Sequence, residues 1–179
     1  MSDKFEKLTE KHIQFIKNQH MYFIGTAAPE GYINVSPKGM DSFRVINENK
    51  VIWLNLTGSG NESAAHVVES PRMTIMFCSF DKQPLIMRLY GRAGVLHERD
   101  ERWDELYSLF PDSVGARQIF ELELDLIQTS CGFAVPFYEF KGERPTLSKW
   151  IDSRGKEGIN DYWEEKNTLS LNGKDTHIF

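Results

Sequence analysis

Three times between Met21 and Glu98 an apolar, extended run gives way, after only two or three turn residues, to another such run. Pro29-Glu30-Gly31 separates Met21–Ala28 from Tyr32, Ile33 and Val35. Glu48-Asn49 separates Phe43–Asn47 from Lys50–Thr57, and Asp81-Lys82-Gln83 separates Arg72–Phe80 from Pro84–Glu98. A parallel neighbour needs a crossover of about a dozen residues, so each pair must close as an antiparallel hairpin. A further run, 118–136, alternates clearly at its start. Phe120, Leu122, Leu124 and Leu126 fall on one side, and Glu121, Glu123 and Asp125 on the other, as in a half-exposed strand. Helices are predicted over 5–18, 61–70 and 99–110, with weaker signals at 146–154 and 159–166. Pro71 ends the second of these. Six or seven strands in successive hairpins with few helices predict a mainly β (α+β) antiparallel barrel with helices packed outside it.

The chain has 179 residues, enough for one domain with a sizeable core. Its net charge of −5 and lack of a Lys/Arg block disfavour a nucleic-acid surface. Cys78 and Cys131 show no CxxC spacing and read as reduced, mostly buried thiols. The five scattered histidines make no zinc motif. A charged N-terminal stretch and the absence of a ~20-residue apolar run predict a cytoplasmic protein. From Tyr138 the composition turns charged and Gly/Lys-rich, so 1–140 is read as the barrel domain and 141–179 as an extension packed on it or on a partner.

Three stretches carry chemistry. In "LNLTGSGNESAAH" (54–66) a strand runs through two glycines into a helix. Ser59 and Glu62 fit a capping box, each side chain bonding the other's amide. The same turn also fits a phosphate loop. Gly58 and Gly60 permit close approach, Thr57, Ser59, Asn61 and Ser63 offer small polar groups, and the helix start offers amides. That second reading requires Glu62 to point away, as it can if Asn61 is the cap. In "NVSPKGMDSFRV" (34–45), Ser36 and Lys38 flank Pro37, which reads equally as a hairpin bulge or a ligand contact. In "MRLYGRAGV" (87–95), Arg88, Tyr90 and Arg92 alternate and so share one sheet face, either for an anion or as a charge-balanced surface.

Taken in chain order, the three stretches, with Trp53-x-Asn55-x-Thr57, Ser70-Pro71-Arg72 and Arg88-x-x-Gly91-x-Ala93, resemble the pyridoxamine 5′-phosphate oxidase-like family of FMN-binding split barrels. "SPKGMD", "LNLTGSGNE" and "SCGFAVP" look like one branch of it. The resemblance implies a split barrel and a homodimer with FMN at the interface. Lys38 and the turn with Ser59, Asn61 and Ser63 would hold the phosphate, with Ser36 a further cofactor contact. Trp53, Asn55 and Thr57 would line the ribityl chain and ring, and Arg88 would approach the ring from across the interface. It also implies that the C-terminal segment can close over the flavin through Trp150, although that tryptophan would equally pack on its own barrel. The family's Arg-Lys pair at the helix start is replaced by Asn61, Glu62 and Ser63, and its Arg-x-His pair near the C-terminus has no counterpart. The resemblance therefore implies a flavin-dependent oxidoreductase rather than a pyridoxamine phosphate oxidase proper, with no catalytic residue assigned. The alternative is a non-catalytic module holding flavin, or haem through His20 or His177.

Overall fold

The computed structural model describes residues 2–179. Eight strands, β1 (Ser2–Phe5), β2 (Tyr22–Thr26), β3 (Asn34–Lys38), β4 (Phe43–Asn47), β5 (Lys50–Leu56), β6 (Arg72–Cys78), β7 (Leu85–Leu96) and β8 (Ala116–Cys131), form one antiparallel sheet. Its order is β3-β2-β6-β7-β8-β5-β4, with β1 added on β8. The two ends of the path, β3 and β4, do not pair, so the barrel is split. Four helices flank it: α1 (Glu10–Lys17), α2 (Glu62–Glu69), α3 (Trp103–Tyr107) and α4 (Thr146–Lys166).

The helix expected over 5–18 begins only at Glu10. Thr9 and His12 cap it reciprocally, the His12 amide donating to Thr9 Oγ1 and the Thr9 amide to His12 Nδ1. Phe5 belongs instead to β1, opposite Ile127. Its three-residue spacing from Leu8 mimicked a helix face, and cross-strand pairing decided otherwise. The helix expected over 99–110 shortens to α3.

Alternation builds the core. Val51 and Trp53 of β5 point into the barrel with Phe77, Leu89, Phe120 and Leu122, while Ile52 and Leu54 pack under α3 with Trp103 and Leu106. Trp53 and Phe120 stack at 4.3 Å. β8 carries two irregularities. Between Leu124 and Leu126 the register skips Asp125, so the side-chain phase reverses there. Leu122 and Leu124 are buried, and beyond the bulge it is Ile127, not Leu126, that enters the core. Across from this bulge the β7 backbone comes so close that a Cβ on Gly91 would overlap the Glu123 carbonyl. The second irregularity skips Arg117, between Asn55↔Gln118 and Leu56↔Ala116.

Cys78 is buried, but Cys131, at the end of β8, is exposed, contrary to expectation. The two weak C-terminal helices are one run broken at Gly155, whose φ of +65° only glycine adopts readily. Ile151, Ile159, Trp163 and Ile178 give this segment a small core of its own. Among the described residues no helix is long and apolar enough to cross a membrane.

Candidate functional site

The hinge after β5 and strand β3 converge on a cavity of about 340 Å³. Ser36, Lys38, Trp53, Asn55, Ser59, Asn61 and Ser63 all line it, together with Asn34, Glu62 and Arg117. Two predicted residues do not. Thr57 is buried behind the wall, its hydroxyl donating to the Gly115 carbonyl at 2.9 Å and accepting from Trp163 Nε1 at 2.9 Å. Arg88 lies on the outer sheet face, donating to Ser130 Oγ, beside a Tyr90 that donates to Gln128. Within one chain it does not meet the cavity.

At the hinge, Asn61 rather than Ser59 precedes the first helical residue, and no side chain caps α2. Glu62 neither folds back on Ser59 nor stands free in solvent. Its Oε1 accepts from the Leu171 amide at 2.8 Å. The helix start thus keeps its first amides clear of a capping side chain, with the positive end of the dipole behind them.

The two cations of the cavity are unusual in having no carboxylate partner among the described residues. Lys38 donates to Asn55 Oδ1 at 3.3 Å and lies 5.1 Å from the Trp53 ring. Burial, and secondarily the nearby Arg117, push it down to about 8. Arg117 is 4% exposed, and burial lowers it to about 10. Its Nη1 donates to Asn167 Oδ1 at 2.6 Å and to the carbonyls of Gly60 and Gly58 at 3.1 and 3.4 Å. All these acceptors are neutral and sit on one nitrogen. The other edge of the guanidinium is unengaged: Nε is buried without a partner, and Nη2 makes no hydrogen bond among the described residues. Such an Nε–Nη2 edge is the fork that takes two oxygens of a phosphate or carboxylate.

Behind Lys38 a polar chain crosses the sheet. Asn55 Nδ2 donates to Gln118 Oε1 at 3.1 Å, and Gln118 Nε2 lies 3.3 Å from His97 Nε2. Burial, with Arg99 adding to it, lowers His97 to about 4, so the ring is neutral and can accept. On the other side, Asn34 Nδ2 donates to Ser63 Oγ, and Ser36 Oγ donates to Asn34 Oδ1. Among the described residues three buried side-chain polar atoms lack a partner: Trp53 Nε1, Asn61 Oδ1 and Arg117 Nε. All three belong to residues lining this one cavity. Unpaired buried polar atoms are rare and costly, and their occurrence on three residues that line one cavity sets it apart from the others.

A larger cavity of about 1010 Å³ lies between α1 and β4. Its arginine, Arg44, is engaged by Asp41 on both terminal nitrogens, and it contains none of the unpaired atoms. Size there is not matched by chemistry. Trp150 lines a third cavity, of about 800 Å³, which shares Lys38 with the first. The tryptophan packs edge-on against Tyr162 of its own chain and does not line the cavity at the start of α2. His20 stacks on Phe140 at 3.7 Å and lines no cavity with His177.

Sequence reasoning missed Arg117 and Asn34. Arg117 occupies the β8 irregularity, where alternation gives no guide to direction. Its one signal is a basic residue near the start of a strand whose other charged residues are all acidic.

Residues 8–131 match the family model described as pyridoxamine 5′-phosphate oxidase. The pyridoxamine 5′-phosphate oxidase family protein ustO of Aspergillus flavus is 34% identical over 189 residues, covering 94% of this chain and 75% of that protein. A candidate pyridoxamine 5′-phosphate oxidase from Lactobacillus delbrueckii superposes with a TM-score of 0.56 at 20% identity, over 69% of this chain and 94% of that one. HupZ of Group A Streptococcus gives 0.51 at 16% identity, over 66% and 91%. The solved structures establish the fold. With the matched model and the Aspergillus relative, they show that this chain belongs to the pyridoxamine 5′-phosphate oxidase family.

Proposed function

We propose that the protein binds FMN and works as a flavin-dependent oxidoreductase, as a homodimer. The observation that carries this reading is the convergence of three unpaired buried polar atoms and two carboxylate-free cations on one cavity at the start of α2. The residues fit a phosphate-bearing flavin. A phosphomonoester of nearly two negative charges needs cations with oriented donors, and Lys38, the Arg117 fork and the α2 amides supply them. Trp53 Nε1 offers a donor, and Asn61 Oδ1 an acceptor, to the less charged part of the same molecule. FMN, when bound, supplies hydride and electron transfer. The protein orients the phosphate end and excludes water from it. Arg88 on the outer sheet face, with exposed Tyr32, Ile33 and Val35 around β3, supports a second copy completing each site, since exposed apolar clusters mark association surfaces.

Titration of the purified protein with FMN, followed by quenching of flavin fluorescence, tests the binding. Anaerobic addition of NADH or NADPH, followed at the flavin absorbance, tests turnover. A preference for FMN over riboflavin is expected. A protein that binds neither flavin refutes the reading.

A further inference from the structure

The C-terminal segment is tied to the cavity wall by a set of contacts that meet at one side chain. Asn167 is completely buried. Its Oδ1 accepts from Arg117 Nη1 at 2.6 Å, and its Nδ2 donates to the Gly58 carbonyl at 3.1 Å. Its carbonyl accepts from Asn61 Nδ2 at 3.3 Å and from Thr176 Oγ1 at 2.6 Å. One residue therefore fixes the arginine, the glycine turn and the residue before α2, which are three parts of the cavity supplied by two distant stretches of chain. Two neighbours act in the same direction. Trp163 bonds Thr57 at the foot of the turn, and the Leu171 amide takes the Glu62 carboxylate, the one acidic group on the cavity lining.

We propose that Asn167 is a positioning residue of the anion site, and that the C-terminal segment, which lies outside the matched residues 8–131, is a working part of that site. The inference rests on the phosphate reading above. Physically, a neutral amide oxygen is the suitable partner for Arg117. It holds the Nη1 side by a charge-assisted bond without cancelling the charge, so the Nε–Nη2 edge keeps its attraction for an anion. A carboxylate in the same place would hold the arginine as well and neutralise it.

Asn167→Asp tests this directly. It keeps the acceptor on Arg117, adds a negative charge and loses the donor to Gly58. Asn167→Ala removes both side-chain bonds. Kd values for FMN and riboflavin are measured for the wild type and both variants, with inorganic phosphate as competitor against FMN and thermal melting as a check on folding. The wild type is expected to prefer FMN and to release it to phosphate. Asn167→Asp should lower FMN affinity by about tenfold or more, the scale of losing one charge-assisted contact, while riboflavin affinity holds and melting stays cooperative, a few degrees below the wild type at most. A residue that only supports the fold would weaken both flavins alike. Equal loss for both ligands, or an unchanged preference for FMN in Asn167→Asp, overturns the inference and leaves the phosphate reading standing. A wild type with no preference for FMN overturns the phosphate reading itself.

Discussion

Replacing Lys38 by methionine separates what the protein needs for stability from what it needs for its ligand. Lys38 titrates at about 8 instead of its ordinary 10.5. At about 1.4 kcal/mol for each tenfold change, keeping it charged at neutral pH without an anion costs about 3 kcal/mol. Methionine has similar length and no charge, so it removes that cost, but it leaves Asn55 Oδ1 without its donor, a loss of about 1–2 kcal/mol. The flavin-free variant should therefore be about 1–2 kcal/mol more stable than the wild type at pH 7, a rise in Tm of about 2–6 °C. The pH dependence identifies the cause. Above pH 8 the native wild type has released the Lys38 proton, while the unfolded chain holds it up to about 10.5. Wild-type stability therefore rises across that window, and the advantage of methionine should vanish within it and give way near its upper end to the loss at Asn55 alone. Urea denaturation at pH 7 and at about pH 10, with FMN titration in parallel, measures both sides. FMN affinity should fall by about ten- to a hundredfold, as for loss of a charged partner. A variant less stable at pH 7, an advantage that persists at high pH, or unchanged FMN affinity would refute the reasoning.

In the wild type, FMN affinity should decline as pH rises through about 8, where Lys38 loses its charge, by at most about tenfold per pH unit for one proton. Riboflavin affinity, measured alongside, should stay flat. Arg117→Lys keeps the charge and loses the fork, so it should weaken FMN about tenfold or more and spare riboflavin; equal FMN affinity would show that the guanidinium edge does not meet the phosphate. Gly91→Ala drives a methyl into the Glu123 carbonyl across the β8 bulge, so chemical denaturation should show a loss of about 1–3 kcal/mol. Trp163→Phe removes the donor to Thr57 and should cost about 1–2 kcal/mol, read in the same assay.

The parts of this protein that sequence reasoning reached are those fixed locally. Short turns force antiparallel pairs, alternation assigns faces, and Ser36, Lys38 and the 59–63 turn announce themselves by glycine, proline and small polar residues in tight spacing. Expectation and structure part where a strand slips. Leu126 loses its place in the core to Ile127 because Asp125 bulges, and Arg117 enters the site because the register skips it. Neither skip has a mark in composition or periodicity. Glu62 posed a choice between solvent and Ser59, and its partner was a backbone amide 109 residues away. Asn167 was equally invisible, since an asparagine after a weak helix says nothing about an arginine 50 residues earlier.

Those separations set an order of assembly. Hairpins whose strands are joined by two to seven residues close cheaply, whereas contacts spanning 106 residues, such as Asn61 with Asn167 and Thr57 with Trp163, carry a larger loop-closure cost. The pairing of β1 on β8, where Phe5 lies opposite Ile127, closes a loop of the same scale, so the outermost strand and the corner around Asn167 stand on one footing. If FMN binds at this corner as proposed, its fluorescence in refolding experiments would be quenched no earlier than these long-range contacts close.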